Sequence, residues 1–339
     1  MTKRLIYLQS GFWNKIRAKD SVEDKRVFWD LYGALECSNI VADIPEECWK
    51  EDELLYRLAE KSADGSGVKI IHNDPKKIEQ ALDPHEEQPI ENLCAVYLLD
   101  KDTKRCDGIS NMQGILCINV DILLRNDKYV RGAATMYTKG EPHDKFAKCK
   151  GLFNSFCNSA LIIDPYIARG KNSLDWNLIP LLDAILPETS PNAFHLTIMC
   201  DTKKCYVGKN IPPITNEKIK KHIKGKIKEI RANLNLSLTL CHIETTGNGD
   251  GDFHSRHICT NNMLINSEDG FDLFKWDREK NEYVCGKHAR IEFLFPTLMD
   301  NRRLDGDNYY RWIQLAAKNI SYENSWGTRE NRLFELVKD

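Results

Sequence analysis

The sequence lacks any apolar run approaching the ~20 residues of a membrane-spanning helix. Its first apolar stretch, Leu5-Ile6-Tyr7-Leu8, is too short for a secretory signal and stops at Gln9. No C-x-x-C pair occurs among its 12 cysteines, so spacing gives no zinc ribbon and no redox dithiol. Scattered thiols read instead as small buried hydrophobes, kept reduced in a cytoplasmic protein. An excess of one charge is missing too. The net charge is -2, so any affinity for polyanions has to be local. Internal repeats and low-complexity tracts are absent. What is present is 42% hydrophobic and 29% charged residues, the balance of a globular chain. At 339 residues there is room for two domains.

Strand and helix signals alternate in the N-terminal part. Leu5 to Leu8, Val68 to Ile71, Leu93 to Leu99 and Gly114 to Asn119 read as buried strands. Lys25 to Leu35 and Lys50 to Ala63 read as helices, the second closed by Gly65-Ser66-Gly67. Lys139-Gly140-Glu141-Pro142-His143-Asp144 is the linker candidate. A second alternating series follows, with strands at Ser159 to Asp164, Phe194 to Cys200 and Leu236 to Ile243. Helices separate them at Leu174 to Leu186 and Ile214 to Leu234. Ala289 to Phe295 reads as an edge strand and Tyr309 to Asn319 as a helix. Buried strands separated by helices predict a parallel α/β sheet. The expected domains are 1–140, 146–299 and a helical extension over 300–339.

The stretch Phe253-His254-Ser255-Arg256-His257-Ile258-Cys259-Thr260-Asn261 alternates with a period near two, and as a strand it puts His254 and Arg256 on one face. A neutral imidazole can attack phosphorus, and a fixed cation beside it can hold the non-bridging oxygens. A glycine-rich run, Thr246 to Asp252, leads in; Asn262 to Asn266 and Gly270-Phe271-Asp272-Leu273-Phe274 follow. Glu244, at the end of the preceding strand, is a candidate carboxylate for this site if that strand lies adjacent. Asp164-Pro165-Tyr166 with Arg169 follows a buried strand's carboxyl end, where α/β ligand sites lie. Tyr166 and Arg169 are candidates to line the pocket; Asp164 is either a ligand or a turn cap.

Residues from about 150 to 275 resemble one repeat of the phospholipase D superfamily. The marks are Asp164-Pro165-Tyr166-Ile167, Phe253-His254-Ser255-Arg256, Asn261-Asn262 and Gly270-Phe271-Asp272-Leu273-Phe274. The pattern is similar to a branch that includes the C-terminal domain of eukaryotic MIT-domain proteins and related bacterial proteins. That superfamily's motif is His, any residue, Lys, four residues, then Asp. Here His254 matches, Arg256 takes the lysine place and Asn261 the aspartate place. The resemblance implies phosphodiester hydrolysis without metal or cofactor, with His254 as nucleophile or acid, Arg256 as phosphate clamp and Asn261 as orienter. It also implies two histidines per site. One motif per chain then calls for a homodimer with two His254 rings meeting across a two-fold axis. By analogy this is a nuclease-type effector, in bacterial antiviral defence, acting with a protein partner. The alternative is an inactive binding module for nucleic acid, phospholipid headgroups or a protein.

Residues 201–231 hold ten Lys or Arg against the acids Asp201, Glu217 and Glu229. Lys221, Lys224 and Lys228 are candidate nucleic-acid or lipid contacts, set against the reading of a solvated helix face. No aromatics interleave with them. The N-terminal unit vaguely resembles a PIN-like nuclease fold, over Cys94 to Asp100 and Gly114 to Asn119; Asp100 is well placed for its metal site, but the first strand ends in Gln9-Ser10 rather than an acid, and Asp43, Asp74 and Asp121 form no motif. It is expected to sense or scaffold. His195, His222, His242 and His257 stand alone and are expected to be structural.

Overall fold

The computed structural model describes residues 5–64, 69–72, 96–126, 128–153, 156–171, 173–190, 192–206, 215–244, 256–296, 298 and 306–337. The strand residues Val68 and Leu93 to Ala95, Asp74, the glycine-rich run and His254 lie outside them. The chain divides into two compact units. The first is Met1–Gly132 with Leu294–Asn308; the second is Ala133–Phe293 with Tyr309–Asp339.

The first unit is built on β1 (Leu5–Gln9), β2 (Asn39–Asp43), β3 (Lys69–His72), β4 (Val96–Leu98) and β5 (Leu116–Ile118). They pair in the order β3-β2-β1-β4-β5, and every pairing is parallel. Ile6, Tyr7 and Leu8 are all sealed from solvent, so both faces of β1 are covered, as parallel sheets require. The predicted helix over Lys50 to Ala63 is broken in two, at Glu46–Glu51 and Glu53–Ala63. Asp52 breaks it: its carboxylate accepts from the amides of Leu54 and Leu55 and starts a new helix instead of continuing the old one.

The second unit carries an eight-stranded sheet. Its strands are β6 (Ala133–Tyr137), β7 (Ser159–Ile163), β9 (Phe194–Cys200), β11 (Leu236–His242), β12 (His257–Thr260), β13 (Leu264–Ser267), β16 (Ala289–Leu294) and β17 (Ser325–Gly327). Short pairs, β8 (Gly170–Lys171) with β10 (Cys205–Tyr206) and β14 (Phe274–Asp277) with β15 (Glu282–Cys285), stand outside it. The order is β17-β11-β9-β7-β12-β13-β16-β6. Strands β7, β9 and β11 run parallel; β12 pairs antiparallel with both β7 and β13, and the edges β17 and β6 pair antiparallel with β11 and β16. A wholly parallel sheet fails here for a geometric reason. Only Asn261 to Met263 join β12 to β13, too few residues for a parallel crossover.

The long helix spans Asn216–Ile230, shorter than the predicted Ile214 to Leu234, and buries Ile219, Ile223 and Ile227. The predicted linker is not a linker. Gly140 donates to the Cys285 carbonyl, Cys285 to Glu141 and His143 to Tyr283, so this strap is hydrogen-bonded along β15. Residues 133–137 likewise belong to the second unit, because β6 pairs with β16. Nor is 300–339 a separate extension: Leu294–Asn308 groups with the first unit, and β17 extends the large sheet beside β11.

Candidate functional site

Strand β7 is buried at all five positions and ends where Asp164 and Pro165 follow. Proline offers no amide for the ladder, and the Asp164 carboxylate turns the chain by accepting from the Tyr166 amide at 2.8 Å. Its other oxygen accepts from the Phe271 amide at 2.8 Å, so one buried side chain joins the end of β7 to the loop after β13. Burial pushes the Asp164 carboxyl up to about 6; Asp272 adds to the rise, while the two amides and Arg256 oppose it.

Arg256 stands across from Asp164. It precedes β12, whose His257 pairs with Ile163. Its Nη1 donates to the Glu268 carbonyl at 2.5 Å, and its guanidinium lies 5.1 Å from the centre of the Tyr166 ring. Arg169 approaches the same ring at 5.3 Å. The Arg256 Nε is buried and has no hydrogen-bond partner among the described residues. Gly270 makes this closeness feasible. It has φ +85°, and a Cβ there would sit 3.1 Å from the Arg256 side chain and 3.2 Å from the Asp164 carboxylate. Lys287 completes the group: it pairs with Asp272 at 2.6 Å and also donates to the Asp269 carbonyl. Three cations and two carboxylates therefore meet where β7 ends, the end at which open α/β sheets bind ligands.

Other expected residues lie elsewhere. The strand at the motif starts at His257, so Arg256 is not within it. Asn261 is at the far end of β12, roughly 17 Å of strand from Arg256, where its side chain accepts from the Asn158 amide. It caps that end and orients nothing at Arg256. Glu244 is excluded by strand order. Strands β9 and β7 separate β11 from β12, about 14 Å in three ladder steps. Glu244 is exposed there and paired with Lys203. Asp164 is a fully buried anchor rather than a group facing a ligand, whereas Tyr166 and Arg169 belong to the cluster.

Lys221, Lys224 and Lys228 form an exposed stripe on the long helix, with no acidic partner among the described residues. Glu217 and Glu229 pair with Lys220 and Lys226 instead. In the first unit, Asp100 pairs with Lys15, and Asp43 accepts from the Tyr7 hydroxyl. Among the described residues no three His, Cys, Asp or Glu side chains are arranged to hold a metal.

A pocket of about 880 Å³ opens beside the cluster, sharing Arg169, Asp272 and Lys287 with it. Its remaining wall comes from Ser173, Trp176 and Asn177 and from the β14–β15 hairpin with its flanking residues. Lys287 and these aromatics were missed from sequence, although the alternation Phe274-Lys275-Trp276 ahead of Tyr283 was a usable hairpin signal. No family model and no curated protein matches the chain.

Proposed function

We propose that the second unit is a phospholipase D-like domain that binds a phosphodiester at Arg256 and hydrolyses it without metal. One observation carries the reading. Arg256, whose buried Nε has no hydrogen-bond partner among the described residues, stands with Arg169 around Tyr166 at the carboxyl end of a buried parallel strand, and Arg169 shares a pocket with Lys287. A half-buried guanidinium, as Arg256 carries, recognises phosphate oxygens more strongly than solvated lysines do.

In this reading a neutral ring nitrogen of His254 attacks phosphorus. The N–P bond forms as the P–O bond to the leaving group breaks, and the leaving oxygen takes a proton from a second His254, supplied by another copy of the chain. Water then attacks the phosphohistidine, and its proton returns to that second ring. Arg256 holds the non-bridging oxygens throughout. The first unit, with its all-parallel sheet, would serve as the PIN-like sensing or scaffolding part. The role of a cytoplasmic nuclease-type effector in antiviral defence, working with a protein partner, rests on analogy of fold.

A second reading, a phosphate-binding module without turnover, is favoured by the positions of Asn261 and Glu244. Neither supplies the orienting group that the superfamily motif would place near the histidine. The test is hydrolysis of nucleic acid and of bis(p-nitrophenyl) phosphate in EDTA by wild type, His254→Ala and Arg256→Ala. Turnover that falls at least a hundredfold or so in both variants supports the enzyme. Equal turnover in wild type and His254→Ala overturns it, and binding without turnover in any of the three supports the module.

A further inference from the structure

Beyond Arg256, the pocket wall is aromatic as well as cationic. Trp176 and Tyr283 stack with ring centres 3.7 Å apart and planes 18° apart. Trp276, the cross-strand partner of Tyr283, stands edge-on to it at 4.9 Å and is 46% exposed. Packing alone accounts for the inner pair, in which Trp176 of the Leu174–Leu178 turn lies flat against Tyr283 of the hairpin. It does not account for an exposed tryptophan flanked by cations. Lys275 and Arg278 lie on either side of it in sequence, and with Arg169 they line the same pocket. None of these three has a carboxylate partner among the described residues. The one acidic residue in the wall, Asp272, is taken by Lys287.

The wall is held rigidly. A π-helical turn at Leu174–Leu178 precedes the helix at Ile179–Ile185 and carries both Trp176 and Asn177. The Asn177 side chain donates to the Phe274 carbonyl at 3.0 Å and accepts from the Phe274 amide at 2.8 Å, both buried. The hairpin that carries Trp276 is thereby tied to the turn that carries Trp176. Preformed rings lose little freedom when a planar ligand settles on them.

We infer that this pocket takes unpaired nucleotide bases, so that the phosphodiester bound at Arg256 belongs to single-stranded nucleic acid; the inference rests on the reading of Arg256 as a phosphate clamp. A base stacks on the exposed ring of Trp276, which the Trp176–Tyr283 stack supports from behind, while Arg169, Lys275 and Arg278 follow the backbone phosphates. Aromatic faces interleaved with cations are what sequence-tolerant single-strand binding uses. A duplex keeps its bases stacked on one another and cannot offer their faces. A phospholipid headgroup would use the cations and leave the rings idle.

Fluorescence anisotropy in EDTA with a labelled oligodeoxythymidine of roughly 12 nucleotides tests this on the full chain. Trp276→Ala, at an exposed position, is expected to weaken binding about tenfold, Trp276→Phe to restore most of it, and Trp276→Leu not to. Tyr283→Phe should bind like wild type, because the stacking face is kept. A duplex of the same length should bind at least several-fold more weakly, and anionic phosphatidylserine vesicles should not compete. Wild-type affinity in Trp276→Ala, equal affinity for duplex, or displacement by vesicles overturns the inference. These outcomes separate from the fate of the clamp reading. If Trp276→Ala binds normally but Arg256→Ala does not, the clamp stands and the base platform falls. If Trp276→Ala weakens binding and Arg256→Ala leaves it intact, the platform stands and the clamp falls.

Discussion

In the second unit, the buried Asp164 and the half-buried His257 titrate in opposite senses over the same pH range. Asp164 is raised from its ordinary value to about 6 by burial, so the folded state holds a proton that the unfolded chain has lost. Its contribution is present at low pH and is lost as pH rises from about 4 to about 6. His257 is lowered to about 4 by burial, partly offset by its bond to Asn266; there the unfolded chain holds the extra proton, and stability grows from about pH 4 to 6.5. The wild type should thus show a muted pH dependence in this window. Asp164→Asn removes the opposing part, so urea unfolding should show stability climbing more steeply from pH 4 to 6. At neutral pH the same variant should lose about 1–3 kcal/mol, because an amide offers one oxygen where two backbone amides need acceptors. An unchanged slope would remove Asp164 from this account. Gly270→Ala should cost about 1–2 kcal/mol by strain at φ +85° and weaken phosphodiester binding by displacing Arg256. None of this could be read from sequence. Asp164 and Gly270 were visible as motif letters, but their shared contact joins residues more than a hundred positions apart.

Among the elements, β7, β9, β11 and the long helix were legible because hydrophobic periodicity reports burial directly. Strand order was not, since it depends on which edges meet, and the role expected of Glu244 failed on that order alone. Glu244→Gln and Asn261→Ala should therefore leave affinity for a phosphodiester within about twofold of wild type, while Arg256→Ala lowers it tenfold or more. Isothermal titration with a short oligonucleotide distinguishes these outcomes. The hairpin was missed because its aromatics alternate over only a few residues, and the π-helical turn has no signature in a single sequence. Asn177→Ala removes two buried hydrogen bonds to the Phe274 backbone and should lower the unfolding free energy by about 2–4 kcal/mol, measured by urea denaturation.

At the scale of the whole molecule, two compact units are formed from interleaved pieces of sequence, which linear composition does not reveal. The enzyme reading requires two copies of the chain, so light scattering should give a dimer at the concentrations where turnover is seen. A monomer at those concentrations would count against that reading. No described helix is long and apolar enough to cross a membrane. The large sheet has a further consequence for synthesis in the cell. Its edge strand β17 pairs with β11, and just beyond it Asn331 donates to the Ala160 carbonyl and the Thr197 hydroxyl inside the parallel core. Until residues 325–337 have emerged from the ribosome, β11 presents an uncapped apolar edge, and the nascent chain is exposed to strand-by-strand coalescence with its neighbours on a polysome.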